Sequence, residues 1–600
     1  MHGSRISQLL ACTLLLTIPS VALGNQAQAV PQAVQAVGAT LPFSTIEAES
    51  GTLAGGATIR RITPGAAVPT SATLELEASG YAFADLRATG ASVTIRNTTN
   101  ITANTLVVRA SLPDAPNGGG ITAPINLYVN GVLRQAITLS STQAWNYRNS
   151  TTNPDDPHGG GQAIFLYNEF PVWVTGAPIA PGSSISLRKD TNSTAPSYAI
   201  DSVDLENVAP ALKQPANSLS VVSYGADPTT AKDSTTAIQN AVNDARAQGR
   251  TVWIPPGKYL TNSVAPNAAL DLTGVKVQGA GMWHSILYRR VPLPAPSGWK
   301  SQLTVGSGTT VADLQVLANA VYRGIAGAGG DDYGFNAGGS KGWLLDRVWT
   351  RHTDANWLSG TNGVVQNSRT GDTYGDGFNA NNSNTPNPEK LGHYLTIRNN
   401  FARGTGDDAF ATYSDSGASG TNGQMIGTKI LNNTAVAPYW ANGIRVAGGR
   451  EVEVRDNLVN TVSSNNAMDI SVFGDSGHPL ESATITGNTL IGGGGWNGVR
   501  TGVHIGSPGP TSRFPNAYTN FTMSNNVIRG SLRSGLMIDK TRIKGTLTDT
   551  TIDGPANQGT LIVGGVTGTG TFTRTTTRNL RPGQVAFQND SPTTFTATIN

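Results

Sequence analysis

The sequence predicts an all-β chain, with an antiparallel β-sandwich first and a parallel β-helix after it. The composition is rich in Gly, at 71 residues, and only 13 % charged, which favours strands and turns over helices. Short alternating apolar and polar runs fill the first third of the chain. An apolar–x–polar–Asn signature recurs in the last third, at intervals typical of one coil of a solenoid.

Residues 1–29 have the pattern of a secretory signal peptide. Arg5 precedes an apolar run that is too short to span a bilayer, and residues 27–29 (Ala-Gln-Ala) offer a small-residue cleavage site. We therefore expect a secreted, extracellular protein, in which residues 30–40 form an N-terminal arm. Cys12 is the single cysteine, so the mature chain has no disulfide and no cysteine-based zinc site.

The charge balance excludes some classes of partner. The formal net charge is +3, and it becomes +2 when Arg5 is removed with the signal peptide. Nucleic-acid binding needs a clustered basic face, and a polyanionic substrate would favour a basic groove. We expect a monomer that binds neither nucleic acid nor membrane.

Residues 41–208 are predicted to form the β-sandwich. Runs such as TLVVRASL and INLYVNG are separated by turn residues about every ten positions, which is typical of short antiparallel strands. Aromatic residues are scattered among them, and each suits either the core or a sugar-binding surface. The module therefore either binds sugar or only supports its neighbour.

The two ends of this segment carry a recognisable pattern. Residues 45–51 read TIEAESG and residues 199–205 read AIDSVDL, and together they resemble carbohydrate-binding modules of families 6 and 35. In those modules the acids of the first strand and the Asp of the last strand bind a structural calcium. The resemblance maps this site onto Glu47, Glu49 and Asp201, whose oxygen atoms suit Ca²⁺. The alternative is that these are ordinary acids on edge strands.

Residues 209–217 read as a linker, and residues 218–600 as the β-helix. The segment TTAIQNAVNDARAQG follows an Asp-Ser N-cap signal and forms an amphipathic helix in this prediction. One face of that helix is apolar, with Ala237, Ile238, Ala241, Val242 and Ala245. The order YGAD, helix, IPPG turn resembles the N-terminal cap of right-handed parallel β-helices of the pectinase type. Such a helix covers the open end of a solenoid.

The repeat signature predicts stacked asparagines. It ends at Asn400, Asn433, Asn457, Asn488 and Asn526, so the spacings are 33, 24, 31 and 38 residues. Stacked side-chain amides would satisfy each other at the turns of successive coils. The uneven spacing indicates loops of different lengths, inserted on one face beside a binding groove.

Two glycine-rich turns carry four acids. Residues 371–377 read GDTYGDG and residues 404–408 read GTGDD, with a strand-like run between them. Paired carboxylates are what glycoside hydrolysis requires, although Asp and Gly also occur in turns for local reasons. Asp407 and Asp408 would point to opposite faces of a regular strand, so their use in one groove requires a bulge or turn.

The pattern GDG…GTGDDAFA resembles the polygalacturonases of glycoside hydrolase family 28. The resemblance implies that Asp407 is the general acid and that Asp376 and Asp408 activate water with inversion. Residues 443–447 read Gly-Ile-Arg-Val-Ala, with Ala447 where the family's Arg-Ile-Lys motif has the Lys that binds a uronate. The absence of this lysine favours a neutral glycan as the substrate.

The combination of EAESG, the helix cap and GDGFN…GDDAFATYS is similar to glycoside hydrolase family 87, which comprises endo-α-1,3-glucanases and mycodextranases. The resemblance implies inverting, internal cleavage of α-1,3-glucan (mutan or nigeran) without a catalytic cofactor. Three alternatives stay open: a polysaccharide lyase, a polygalacturonase-like enzyme and a non-catalytic glycan-binding solenoid.

Further side chains are candidates for substrate binding because aromatic faces, charges and imidazoles suit sugars, although turn or core roles suit them as well. The candidates are Trp357, Asp372, Tyr374, Tyr439, Trp440, Arg445 and His478. The histidines of this region share no metal-ligand spacing, so we expect no catalytic metal.

Overall fold

The computed structural model describes residues 37–63, 65–261, 270–290, 303–319, 333–382, 391–417, 419–498, 500–506, 512–515, 517–540 and 542–600. In these ranges the chain is a β-sandwich followed by parallel sheets of a β-helix, as the sequence predicts. The predicted signal peptide lies outside them, as does most of the predicted arm. No helix in the described ranges is both long enough and apolar enough to cross a membrane.

Two antiparallel sheets form the sandwich. The first contains, in spatial order, Asn168–Trp173, Thr105–Ser111, Tyr198–Glu206, Ala82–Leu86 and Thr58–Arg61, with Phe43–Glu47 paired to Tyr198–Glu206. The second contains Thr52–Ala54, Ser92–Arg96, Ser184–Arg188, Thr122–Val129 and Val132–Ser140. Alternate residues of the strands face the shared core; on Thr122–Val129 these are Ala123, Ile125, Leu127 and Val129.

Small elements complete this part of the chain. They are a hairpin of Asn146–Arg148 and Gln162–Ile164, a short helix Leu74–Glu77, and the 3₁₀ turns Ala48–Ser50 and Ser79–Tyr81. The chain then enters the β-helix through the 3₁₀ turn Val221–Tyr224 and the helix Thr235–Gln248. Four of the five predicted apolar side chains of this helix are buried against the open end of the solenoid: Ile238, Ala241, Val242 and Ala245.

The β-helix has two main parallel sheets. In the described residues the sheet that we call the long sheet has 24 strands, most coils giving it two. Its strands are Ser218–Ser220, Thr251–Ile254, Gly257–Leu260, Lys276–Gly279, Ser285–Tyr288, Thr310–Leu317, Leu344–Arg351, Val364–Gln366, Arg369–Gly371, Thr396–Arg398, Phe401–Arg403, Lys429–Leu431, Thr434–Val436, Val452–Arg455, Leu458–Asn460, Ala483–Thr486, Thr489–Ile491, Thr519–Ser524, Val527–Arg529, Arg542–Thr548, Thr551–Asp553, Thr567–Thr573, Thr576–Arg578 and Phe595–Ile599.

The second sheet, which we call the groove sheet, has 12 strands among the described residues. They are Leu270–Asp271, Leu303–Thr304, Phe335–Asn336, Asn356–Leu358, Phe378–Asn381, Phe410–Tyr413, Ile444–Ala447, Met468–Ile470, Val503–Gly506, Leu536–Asp539, Thr560–Ile562 and Phe587–Asn589. A small sheet pairs Gly360–Thr361 with Leu391–His393. Apolar residues of both main sheets fill one continuous interior.

The repeat signature is explained by a bend in each coil of the long sheet. The residue before each repeated asparagine has a positive φ, a conformation that Asn, Asp and Gly tolerate. These residues are Asn399, Asn432, Asp456, Gly487 and Asn525. The asparagine that follows points inward and bonds to the next coil: Asn400 donates through its backbone N–H (3.0 Å) and its side-chain amide (3.1 Å) to Asn433 Oδ1. The same pattern continues to Asn526, so the predicted stacking is confirmed.

Buried ion pairs join the sandwich to the β-helix. Arg403 Nη2 lies 2.6 Å from Asp204 Oδ2, and its Nε bonds to Glu169. Arg369 pairs with Glu206 at 2.6 Å. All of these side chains are nearly inaccessible to solvent. Because Arg403 directly precedes the second acidic turn, the sandwich holds the backbone from which the candidate active site extends.

Candidate active site

Asp376, Asp407 and Asp408 meet on one side of the β-helix. One carboxylate oxygen from each lies within 4.8 Å of the others. Among the described residues, no other three acids, histidines or cysteines converge in this way. Such close carboxylates do not all ionise independently, because each negative charge disfavours the next.

The strand register explains this convergence. Phe378 pairs with Phe410 in the groove sheet, so Asp376 and Asp408, each two residues earlier, occupy equivalent positions on successive coils. Asp407 and Asp408 lie in a bend before the strand and not in the strand itself. The bend that the sequence required is therefore present, and it lets neighbouring aspartates reach the same site.

The glycines of these bends allow the coils to approach each other. A Cβ atom on Gly377 would lie 2.4 Å from the carbonyl oxygen of Ala409, and one on Gly406 would lie 2.4 Å from that of Tyr374. Backbone contacts link the bends: the N–H of Asp407 donates to Gly375 O at 3.0 Å. The atoms that approach these glycines belong to adjacent parts of the chain, so the absence of a side chain serves the packing of successive coils.

Asp408 is the most buried of the three, at 5 % exposure. Burial raises its pKa well above the usual range, and the charge of Asp407 adds to this effect. Asn442 opposes it by donating to Asp408 Oδ1 from its backbone N–H (3.0 Å) and its side-chain amide (2.7 Å). Asn442 Oδ1 in turn accepts both amide groups of Asn466, and Asn466 Oδ1 accepts the N–H of Thr501. Asp408 thus lies at one end of a second series of hydrogen-bonded amides, which is separate from the asparagine stack of the long sheet.

Asp376 and Asp407 are half-buried. Asn379 donates to Asp376 Oδ2 at 2.9 Å, and the N–H of Asp408 donates to Asp407 Oδ1 at 3.0 Å. The site therefore combines one buried acid with a raised pKa and two more accessible acids. This combination suits acid–base chemistry on a sugar linkage.

A row of charged side chains continues from the site along the groove sheet. Arg445 Nη1 lies 3.1 Å from Asp469 Oδ2, and Asp469 Oδ1 lies 2.7 Å from His504 Nδ1. His504 Nε2 lies 2.9 Å from Asp539 Oδ1. Although burial opposes both shifts, Arg445 and His504 lower the pKa of Asp469 to about 2, and the two aspartates raise the pKa of His504 to about 9.

Sequence reasoning missed Asn442, Asp469 and Asp539. Asn442 precedes Gly-Ile as Asp376 precedes Gly-Phe. An alignment of the coils on the first apolar residue of each strand would therefore have identified Asn442. Asp469 lies at the register position of Arg445 one coil later, which the same alignment gives.

Two predicted sugar-binding residues lie on the face of the groove sheet. Trp357, Asn379, Ala411 and Arg445 occupy successive positions of one register. The indole of Trp357 is half-buried and stacks on the ring of Tyr333, with centroids 5.6 Å apart. Trp357 and Arg445 therefore lie on either side of the carboxylates along the stack of coils.

Two further candidates lie outside this row. The Arg148 guanidinium of the sandwich lies 3.4 Å above the ring of Trp440, and both side chains line a cavity of about 260 Å³. His478 is half-buried in a loop, where its Nε2 lies 2.9 Å from Asn422 O.

The remaining candidates are buried against the sandwich. Asp372 has no exposed surface and accepts the N–H of Glu169 at 2.9 Å. Tyr374 and Tyr439 of the β-helix both pack on the ring of Phe165 of the sandwich, at centroid distances of 5.1 and 4.7 Å. Contrary to the prediction, Asp372 is not placed in the groove, whereas Tyr374 and Tyr439 line the same cavity as Trp440. The bend turns these three side chains to the side of the coil that the sandwich covers.

The predicted calcium ligands are only partly assembled. Asp201 pairs with Arg109 at 2.6 Å, so an arginine already supplies positive charge there. Ser79 Oγ donates to Glu47 Oε2 at 2.6 Å, while Glu49 Oε2 is buried and has no hydrogen-bond partner in the described part of the chain. Burial, and then the charge of Asp201, raises the pKa of Glu47 to about 8, and burial raises that of Glu49 to about 7. A bound cation would stabilise the charged forms of the two glutamates. Asp201 suits the role of a cation ligand less well, because Arg109 already pairs with it.

Comparison with known proteins agrees with this architecture. The family model of the α-1,3-glucanase catalytic domain D1 matches residues 40–208, and that of domain D2 matches residues 227–504. Comparison with curated protein sequences finds no match.

Solved structures of the same fold cover nearly the whole chain. The catalytic unit of a thermostable GH87 α-1,3-glucanase from Streptomyces thermodiastaticus strain HF3-3 is 25 % identical with a TM-score of 0.74, covering 94 % of this chain and 96 % of that one. A GH87 α-1,3-glucanase catalytic domain in complex with nigerose is 24 % identical with a TM-score of 0.77, covering 94 % and 98 %. An aspartate-to-alanine variant of such a domain in complex with tetrasaccharides is 23 % identical with a TM-score of 0.77, covering 94 % and 99 %. With both domain models matched in order, the chain belongs to the α-1,3-glucanases of glycoside hydrolase family 87.

Proposed function

We propose that the protein is a secreted, monomeric, endo-acting hydrolase that cleaves α-1,3-glucosidic linkages inside α-1,3-glucan, with inversion. The observation that carries this proposal is the convergence of Asp376, Asp407 and Asp408, whose carboxylate oxygens lie within 4.8 Å of one another. The matched family models and the sugar complexes of similar structures support the substrate class.

The geometry supports a division of roles. Asp407 is accessible enough to reach a glycosidic oxygen, as Asp376 is, and we assign Asp407 as the general acid from the resemblance to the polygalacturonase pattern. Asp376 and Asp408 are equivalent on successive coils, so they can hold one water between them. In the free enzyme, burial favours the proton on Asp408, but the proton belongs to the coupled group of three acids. In the substrate complex the proton lies on Asp407, which donates it to the glycosidic oxygen as the linkage breaks, and the carboxylates of Asp376 and Asp408 accept the proton that the attacking water loses.

The groove supplies substrate contacts on both sides of the acids. The Trp357 ring offers an aromatic face for a sugar. Arg445 offers a guanidinium whose Nε is buried and has no hydrogen-bond partner within the described ranges. Arg445 is already neutralised by Asp469, so it would donate hydrogen bonds to hydroxyl groups of a neutral glycan. A uronate-binding polygalacturonase or lyase would need an additional cation here.

Inversion rests on the resemblance to the polygalacturonase pattern. By spacing alone, oxygens within 4.8 Å are closer than the carboxyl pairs of ordinary inverting enzymes, which are about 6.5–9.5 Å apart. Proton NMR of the first products from an α-1,3-linked oligosaccharide tests this proposal. A β-anomer as the first product supports inversion, and an α-anomer shows retention. Ultraviolet-absorbing unsaturated products would instead indicate a lyase.

We also propose a structural calcium ion at Glu47 and Glu49, near Asp201. The unpartnered Glu49 Oε2 and the raised pKa values of both glutamates support it. Chelation with EGTA should lower the melting temperature of the whole chain, and calcium should restore it. An unchanged melting temperature, with no calcium found by elemental analysis, rejects this site.

A further inference from the structure

A second cleft lies between the edge of the sandwich and the flank of the β-helix. Strands Val132–Ser140 and Asn168–Trp173 form one wall, and Leu317, Arg351 and His352 form the other. Its volume is about 470 Å³, within the usual range for small-molecule sites. We call it the edge cleft. None of the three aspartates of the candidate active site lines it.

The walls of the edge cleft contain buried polar atoms that have no hydrogen-bond partner among the described residues. Four side chains each contribute one: Gln143 Nε2, Asn168 Oδ1, Arg351 Nε and His352 Nδ1. Asn168, Arg351 and His352 are 4–6 % exposed. Native proteins rarely leave such groups unpaired, so their concentration in one cleft indicates a polar occupant. The set contains donors and an acceptor, which suits a ligand with hydroxyl groups.

The charges around the edge cleft favour a neutral ligand. Arg351 lies 3.6 Å from Asp372, whose carboxyl opposes its charge in part, because burial raises the pKa of Asp372 to about 7. The carboxylate of Glu169 is bonded to Arg403. Burial, and then the charge of Arg351, lowers the pKa of His352 well below its usual value, so the imidazole is neutral. Among the described residues that line the cleft, Arg351 is the one permanent cation, and with Asp372 beside it little positive charge is left to select phosphate or another anion.

The other lining groups are those used to bind sugars. Trp173 lies at the rim with 45 % of its surface exposed, next to Phe170 and Pro171 on the same wall. Thr138 and Ser140 add hydroxyl groups on the neighbouring strand. An apolar and aromatic wall combined with a few fixed donors and acceptors is the usual arrangement for a pyranose ring.

We propose that the edge cleft is a second carbohydrate site, which binds a glucosyl segment of the polymer separately from the groove that cuts it. The identity of that polymer rests on the proposed function. On an insoluble glucan the second site would keep the enzyme attached between cleavage events, because two linked sites raise the effective concentration of each.

Binding measurements on a silenced enzyme test this proposal. Asp407→Asn in the full chain is titrated with an α-1,3-linked glucotetraose by isothermal titration calorimetry, and two sites are expected. Adding Thr138→Trp, an exposed position that would fill the edge cleft, should weaken one site at least tenfold. Adding Trp357→Ala should weaken the other. Leu133→Trp, also exposed and on the same strand but outside the cleft, is the matched control and should weaken neither.

Asn168→Leu provides a second test, because it removes the unpaired acceptor while keeping the size of the side chain. Loss of the same site in Asn168→Leu and Thr138→Trp supports the proposal. One site only, weakened by Trp357→Ala and unaffected by either edge-cleft variant, overturns it and leaves the proposed function standing. Failure of the proposed function is recognised separately, as absence of hydrolysis by the unmodified enzyme.

Discussion

Asn442 donates two hydrogen bonds to the same oxygen of Asp408, at 3.0 Å from its backbone and 2.7 Å from its side chain. Both favour the carboxylate form, whereas burial favours the protonated form. Since Asn442 is itself fixed by Asn466, the position of the buried acid is set by an amide ladder that runs through the following coils.

Replacing Asn442 with Ala should lower kcat/KM by about tenfold to a hundredfold, which corresponds to the about 1.5–3 kcal/mol of a hydrogen bond to a charged group. The substitution removes the side-chain donor that stabilises ionised Asp408 and keeps the backbone N–H, so the acidic limb of the pH–rate profile should also move to higher pH. Asn433→Ala, in the ladder of the long sheet, is the control. It should reduce the free energy of unfolding but leave the pH profile of the folded enzyme unchanged. If the pH–rate profiles of the two variants were the same, Asn442 would not be the residue that stabilises ionised Asp408.

His504 should make the stability of the protein depend on pH. Its pKa is about 9 in the folded protein, above the unfolded value of about 6.5, so its contribution is complete below pH 6.5 and is lost as the pH rises through 9. His504→Gln should therefore reduce the free energy of unfolding at pH 6, by on the order of 3 kcal/mol, and have a much smaller effect at pH 10. Urea unfolding at both pH values measures this. A reduction of equal size at pH 6 and pH 10 would exclude a charged imidazole.

Arg403→Met should destabilise the protein by about 3–5 kcal/mol, because it leaves Glu169 and Asp204 buried without their cation. Arg398→Met, on the same coil but exposed and bonded to Gln366, should change stability by less than about 0.5 kcal/mol. Thermal unfolding of both variants provides the comparison. Similar melting temperatures would show that the sandwich is not held by this ion pair.

The sequence was most informative where a pattern repeats. The asparagine ladder follows from its signature because each coil places an Asn, Asp or Gly with positive φ before the inward amide, as Asn399 does before Asn400. The three catalytic candidates were found because their residue types are unusual together in glycine-rich turns.

The sequence was least informative where contacts join distant segments. Asp372 bonds to Glu169, 203 positions away, and nothing in the local pattern of GDTYGDG distinguishes a buried interface acid from a groove acid. Likewise, Arg109 pairs with Asp201 but lies on another strand of the sandwich. The local sequence around the predicted calcium ligands therefore could not predict this ion pair.

Product analysis with single-site variants tests the proposed catalytic site most directly. The unmodified enzyme and the variants Asp376→Asn, Asp407→Asn and Asp408→Asn are incubated with insoluble α-1,3-glucan, and released oligosaccharides are sized and counted. We predict that the unmodified enzyme releases a mixture of oligosaccharides. Each variant should be folded and bind the glucotetraose but turn over at least about a hundredfold more slowly. Full turnover by any one variant would remove that aspartate from the site, and unchanged polymer length with the unmodified enzyme would contradict the proposed hydrolysis itself.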